Sequence, residues 1–236
     1  MSIADELALD APAKGPTVKR RVMIYRRYER FWHWSQAALI LVLLFTGFGL
    51  HGVHGLIPFG LAVNLHTLAA LTLVVLWVFT IFWWFTTGEW RHYLPGNEGL
   101  ASILRYYAFG ILIGAQKPYK KRFGAKQNAL QALTYLLLTL LIGSTLWATG
   151  VAYLFYNFWE HFGWSQTAFR IVAFLHTAAA WAMALFVVIH VYMATTGRPW
   201  HHYFHSMITG YDDVELTPEE LAYLEQSREN RLGKAH

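Results

Sequence analysis

The sequence predicts an all-α membrane protein: a four-helix transmembrane bundle with both termini in the cytoplasm and a short soluble helix near the C-terminus. Three observations predict it. The 236 residues are 56% hydrophobic and only 14% charged, against about a quarter charged in an average soluble domain. Four apolar runs, at about 31–50, 61–86, 129–153 and 168–196, are each long enough at about 1.5 Å per residue to cross the roughly 30 Å hydrocarbon core of a bilayer. The basic residues bunch in alternate connections. The first connection (HGVHGLIPFG) and the third (154–167) hold no Lys or Arg, whereas the second, 87–127, holds Arg91, Arg105, Lys117, Lys120, Lys121, Arg122 and Lys126. The positive-inside bias puts that second loop and both termini in the cytoplasm.

Residues 1–28 read as a cytoplasmic N-terminal arm. A polar stretch with Pro12, Gly15 and Pro16 leads into Lys19, Arg20, Arg21, Arg26, Arg27 and Arg30. This charged region is too long for a cleavable leader, so the first apolar run doubles as an uncleaved insertion signal. The transmembrane domain covers 29–196, including the cytoplasmic loop 87–127. Within that loop, 99–115 (GLASILRYYAFGILIGA) carries Arg105 and three glycines and reads as an interfacial segment, because a fifth span would reverse the charge bias. Residues 197–236 form a cytoplasmic tail, in which Thr217-Pro218-Glu219-Glu220 marks the start of a short helix: N-cap, Pro at the first position, Glu at the third.

Composition excludes several classes. With no cysteine the chain can hold no disulfide, no thiolate iron–sulfur cluster and no CxxCH-linked heme. The net charge of +5 follows membrane topology rather than a basic face for nucleic acid. Trp32, Trp34, Trp90, Trp159, Trp164 and Trp200 fit aromatic belts at the two interfaces.

Depth sorts the twelve histidines. His66, His176 and His190 lie within spans, and His33 at the inner edge of the first. Ionisable groups at such depth are costly and face the bundle interior, so a functional role is the default. Chain direction puts His33 and His190 at the inner level and His66 and His176 at the outer level. The fourth span carries two histidines fourteen positions apart, which returns them to within about 40° on the helix, about 21 Å apart. Two level pairs are what two six-coordinate hemes stacked across a bilayer require. Histidines hydrogen-bonded within the core are the simpler reading, and a zinc or iron transport site is another, although it would want carboxylates and none lies inside the four runs. Thr177, Ala178, Ala179 and Ala180 leave room for a flat macrocycle.

From Arg30 to Gly210 the chain resembles the diheme cytochrome b (gamma) subunit of membrane-bound respiratory formate dehydrogenase, and the related cytochrome b subunits of nickel–iron hydrogenase and thiosulfate reductase. The resemblance rests on Arg30-x-x-His33-Trp34, on His66 early in the second span, and on His176 with His190-x-Tyr192-Met193-Ala194 in the fourth. It implies two b-type hemes (heme b), with His33 and His190 ligating the inner iron and His66 and His176 the outer. It also implies a quinone pocket, for menaquinone or ubiquinone, at Asn128 and Gln131 beside His190. Arg30, with Arg26 and Arg27, becomes a candidate heme-propionate contact, and Met207-Ile208-Thr209-Gly210 a segment docking to an iron–sulfur subunit.

The implied function is a membrane-anchoring electron-transfer subunit of the bacterial cytoplasmic (inner) membrane. Its partners would be an iron–sulfur subunit and a catalytic molybdenum, tungsten or nickel–iron subunit in a hetero-oligomeric complex. The arm is longer, and the second loop more basic and aromatic, than in the formate dehydrogenase subunit. That leaves hydrogenase and sulfur-compound reductase partners open. A non-redox membrane anchor, or a transporter with histidine proton relays, is the rival from another class. Among the remaining histidines, His51 shares a helix face with His33 at the outer level, and His201, His202 and His205 form a cluster with metal-ligand spacing.

Overall fold

The computed structural model describes residues 17–88, 90, 105, 109–110, 113, 129–197 and 199–226. Four helical stretches are long and apolar enough to cross a membrane by length and composition: Arg27–Leu50, Phe59–Thr87, Leu130–Leu154 and Ser165–Thr195. Each matches an expected span to within a few residues. Little of each span is buried within the chain itself, and Leu68, Phe82, Phe85, Phe174 and Val188 point outward, as a lipid-facing surface requires.

The chain divides into two compact units, Met1–Ala132 with His201–His236, and Leu133–Trp200. In the first, strand β1 (Val18–Met23) leads into helix α1 (Arg27–Leu50), which packs against α2 (Phe59–Thr87). Helix α1 begins one turn earlier than expected. Glu29 therefore lies inside it, 2% exposed, and receives the Arg26 backbone N–H on its carboxylate at 2.8 Å. A carboxylate in a helix's first turn favourably meets the dipole and the orphan N–H groups there. The expectation that no acidic residue enters a span is corrected on this point.

The larger departure is the termini. The basic arm is not a bare tether: β1 pairs antiparallel with β2 (Tyr211–Leu216), Lys19 opposite Glu215 and Arg21 opposite Asp213. Helix α7 (His202–Thr209), β2 and helix α8 (Pro218–Gln226) complete this cap around Val22, Ile24, Val214, Leu216 and Leu224. (Labels α3 to α6 are given to the helices between Ala129 and Thr195.) Thr217 and Glu220 exchange reciprocal bonds, Thr217 N–H to the Glu220 carboxylate at 2.7 Å and Glu220 N–H to Thr217 Oγ1 at 3.2 Å. The capping box expected there is formed. Segment 99–115 lies almost wholly outside the described residues.

Helix α3 (Ala129–Leu137), whose residues from Leu133 onward belong to the second unit, passes through a π-helical turn at Leu138–Gly143 into α4 (Ser144–Leu154). A short turn of helix, α5 (Tyr156–Trp159), precedes the long α6 (Ser165–Thr195), which packs on α4. At the apolar connection Trp159 stacks on Trp164 at 6.2 Å and donates its indole N–H to the Ala152 carbonyl at 3.0 Å.

Candidate functional site

Each hairpin carries two of the four histidines singled out by depth. In the first, His66 Nδ1 lies 2.9 Å from Thr46 Oγ1 on the neighbouring helix. That hydroxyl lies 2.7 Å from the Val42 carbonyl, to which it donates. In the second, His176 Nδ1 lies 2.8 Å from Thr149 Oγ1, which donates to the Thr145 carbonyl at 2.6 Å. A glycine follows each threonine. A methyl group placed on Gly47 would come within 3.5 Å of His66 Cε1, and one on Gly150 within 3.8 Å of His176 Cε1. Both are ordinary contact distances, so the imidazoles themselves do not demand glycine, and the open strip lies beside each ring.

The inner pair sits in different surroundings. His33 meets the edge of Trp34, ring centroids 5.0 Å apart. His190 stacks near-parallel to Phe186 at 5.6 Å and meets Tyr135 edge-on at 6.5 Å. Near His33, about two turns of helix concentrate buried polar atoms without partners among the described residues: Arg30 Nε, Trp32 Nε1 and Gln36 Oε1. Buried orphans are rare in native proteins and mark a place that a polar ligand or water completes.

Heights within each hairpin can be compared without reference to the other. His66 contacts α1 at Thr46, thirteen residues along from His33, or about 20 Å at helical rise. His176 and His190, fourteen residues apart on α6, are separated by about 21 Å. Each hairpin thus presents one imidazole at each of two tiers with nearly equal spacing.

The donor set suits heme iron. An imidazole whose Nδ1–H is held by a hydroxyl presents its lone pair on Nε2, the usual arrangement for a neutral histidine ligand with its outer hydrogen bond in place. The strips at Gly47 and Gly150, with Ala69 and Ala179 buried one turn beyond each outer histidine, give room for the edge of a flat ring. Among the described residues no three His, Asp or Glu side chains gather around a metal position. The His201, His202, His205 spacing therefore does not make a site: His202 Nε2 instead lies 2.9 Å from the Asp212 carboxylate, which is buried in the cap. His51 ends α1 as its C-cap, and His54 turns back to hydrogen-bond the Phe45 carbonyl at 2.8 Å.

Two other assignments take a specific place. The Arg30 guanidinium donates to the Ile208 carbonyl, Trp34 donates to the Met207 carbonyl at 3.3 Å, and the Ile24 and Tyr25 N–H groups share the Gly210 carbonyl. The Met207–Gly210 segment thus docks on the chain's own first helix. Gln131 is exposed on the first turns of α3, and Asn128 lies outside the described residues.

Sequence reasoning missed Thr46 and Thr149. A signal for them exists as an internal repeat: Thr-Gly recurs at Thr46-Gly47 and Thr149-Gly150, and Leu-His-Thr-x-Ala-Ala at 65–70 and 175–180.

Comparison with known proteins agrees with this chemistry. Residues 24–210 match the family described as prokaryotic cytochrome b561. The chain is 29% identical over 206 residues to the Escherichia coli (strain K12) protein named "Putative cytochrome YdhU", covering 81% of this chain and 74% of that one. It is 25% identical over 217 residues to the "Probable Ni/Fe-hydrogenase B-type cytochrome subunit" of Rhizobium leguminosarum bv. viciae, covering 82% and 89%. No solved structure matches. With four helices long and apolar enough to cross a membrane and a family match over residues 24–210, this multi-pass membrane chain belongs to the prokaryotic cytochrome b561 family, whose members are b-type cytochromes.

Proposed function

We propose that the chain is a diheme membrane subunit that carries electrons between a peripheral iron–sulfur and catalytic partner and the quinone pool of the bacterial cytoplasmic membrane. The observation that carries this is the two-tier spacing, about 20 Å in one hairpin and about 21 Å in the other. His33 and His190 are the ligands proposed for the inner heme b, His66 and His176 for the outer. When bound, heme b supplies reversible one-electron chemistry at a potential set by its ligands and their hydrogen bonds. The chain's own work is to fix the four rings, keep water from the apolar interior and hold the two sites at a fixed separation. Arg30 Nε and Trp32 Nε1, buried donors beside His33, suit the carboxylates of an inner heme.

Asn128 and Gln131, where the third span begins, are the residues that would hydrogen-bond a quinone carbonyl, at a site that would exchange two electrons and two protons between quinone and quinol. The named hydrogenase cytochrome among the relatives favours a nickel–iron hydrogenase as the catalytic partner. Formate dehydrogenase and a sulfur-compound reductase remain proposals from motif resemblance. Strand β1 from the arm 1–28 and the elements His202–Gln226 from the tail 197–236 form one cap, which belongs on the cytoplasmic side of the transmembrane domain 29–196 in this reading.

The test is spectroscopic. Purified protein from heme-replete cells should show b-type bands in a reduced-minus-oxidised spectrum, with two hemes per chain. A colourless, metal-free preparation would sink the proposal in favour of a membrane anchor or transporter. Partners that co-purify identify the substrate.

A further inference from the structure

We infer that Thr46 and Thr149 are matched positioning residues that orient His66 and His176 and set the electron-donating strength of both outer ligands. The inference rests on the heme reading above and adds a role to two residues that do not touch iron.

Each threonine oxygen lies between carbonyls of its own helix and an imidazole nitrogen. A threonine hydroxyl has one proton. In Thr46 it is directed at the Val42 carbonyl, and in Thr149 at the Thr145 carbonyl. With that proton directed at the carbonyl, each oxygen accepts from the imidazole in the tautomer that carries its hydrogen on Nδ1 and its lone pair on Nε2, and for His66 the Leu43 carbonyl stands beside the hydroxyl as a second acceptor. Hydroxyl bonds to the carbonyl four residues back are common in apolar helices, and Thr72 and Thr86 make them here too. What separates Thr46 and Thr149 is that their remaining lone pairs meet a histidine ring on the helix packed against their own. Because threonine is β-branched and its hydroxyl is anchored to its own helix, the acceptor is a fixed one.

The device is built twice. In both hairpins Thr-Gly faces Leu-His-Thr-x-Ala-Ala, and the residues three and seven beyond the histidine are buried: Ala69 and Leu73 in one, Ala179 and Met183 in the other. Fourteen residues beyond, the repeat breaks. Thr80 stands in the first hairpin, buried and paired with the Tyr28 hydroxyl at 3.1 Å, where His190 stands in the second. The shared element is confined to the outer tier.

A hydrogen bond accepted from Nδ1–H makes Nε2 a stronger donor and favours oxidised iron, as outer-shell partners of metal-bound histidines do. Removing the hydroxyl while keeping the shape should therefore raise the outer potential. The experiment uses purified full-length protein carrying Thr46→Val, Thr149→Val, Thr46→Ser or Thr149→Ser, with heme content, redox titration and low-temperature electron paramagnetic resonance of the oxidised hemes as readouts. Each Val variant should raise one of two midpoints by about a tenfold change in the oxidised-to-reduced ratio, about 59 mV for one electron. The other midpoint should stay fixed, and Ser should restore the wild-type value. If a Val variant loses one heme outright, recovery of that heme in the Ser variant supports the inference and its failure overturns it. Two hemes with both midpoints unmoved in the Val variants overturn this inference alone. A wild-type chain without heme overturns both it and the functional proposal.

Discussion

Gly210→Ala tests the cap that joins the two ends of the chain. Gly210 has φ +89°, a conformation that L residues adopt at a cost of about 1–2 kcal/mol. A methyl group there would lie 2.6 Å from the Tyr25 carbonyl oxygen and 3.2 Å from Arg30 Nε. Backbone must shift to relieve the first contact, and the segment that shifts is the one whose Ile24 and Tyr25 N–H groups bond the Gly210 carbonyl at 2.8 and 3.1 Å. Adding about 1 kcal/mol for each weakened bond to the conformational cost gives about 3 kcal/mol against the closed cap. Cleavage of a transiently opened segment follows its opening equilibrium when closing is fast. Tryptic cutting in the Lys19–Arg21 run should therefore accelerate about a hundredfold, since about 1.4 kcal/mol is worth a factor of ten. Gly163→Ala is the control, because a methyl there meets nothing within 4 Å. Protein in lipid nanodiscs, sampled over time by mass spectrometry, gives the rates. If Gly210→Ala is cut no faster than wild type, the pairing of β1 with β2 does not hold the arm.

Substitutions at the four histidines should separate the two centres. His66→Ala or His176→Ala should halve the heme-to-chain ratio and leave the inner centre, whereas His190→Ala should remove the inner heme and quinol turnover together; retention of both hemes in any of these would refute the ligand assignment. Gly47→Leu fills the strip beside His66 and should lower outer-heme affinity by about ten- to a hundredfold, the usual scale for disturbing a metal site's surroundings, measured by heme titration of apoprotein. A full heme load at wild-type affinity would show that no ring edge passes there. Asn128→Ala and Gln131→Ala should each weaken binding of a quinone-site inhibitor with heme content unchanged. Unaltered inhibitor affinity would take that residue out of the pocket.

Much was legible in the sequence because membrane folding is governed by coarse variables. Hydrophobic length and the distribution of Lys and Arg set spans and direction, and both are additive along the chain. The depth of His33, His66, His176 and His190 follows from that arithmetic alone, as does the capping box at Thr217 and Glu220, a local motif of four residues. The pairing of Lys19–Arg21 with the acidic strand Tyr211–Leu216 was not legible, because a six-residue alternation is a weak signal and its partner lies some 190 residues away. The basic run is also the signal expected of a bare cytoplasmic arm, so one pattern served two purposes.

By itself the sequence determined the four apolar spans, the fourteen-residue spacing of His176 and His190 and the exclusion of thiolate chemistry, because composition, length and helical rise fix these without a partner. Only the tertiary structure decided which hydroxyl His66 and His176 each meet, which carbonyl Arg30 donates to, and that Val18–Met23 pairs with Tyr211–Leu216. Those depend on side chains brought together from distant positions, where hydrogen-bond distance rather than sequence spacing sets the outcome.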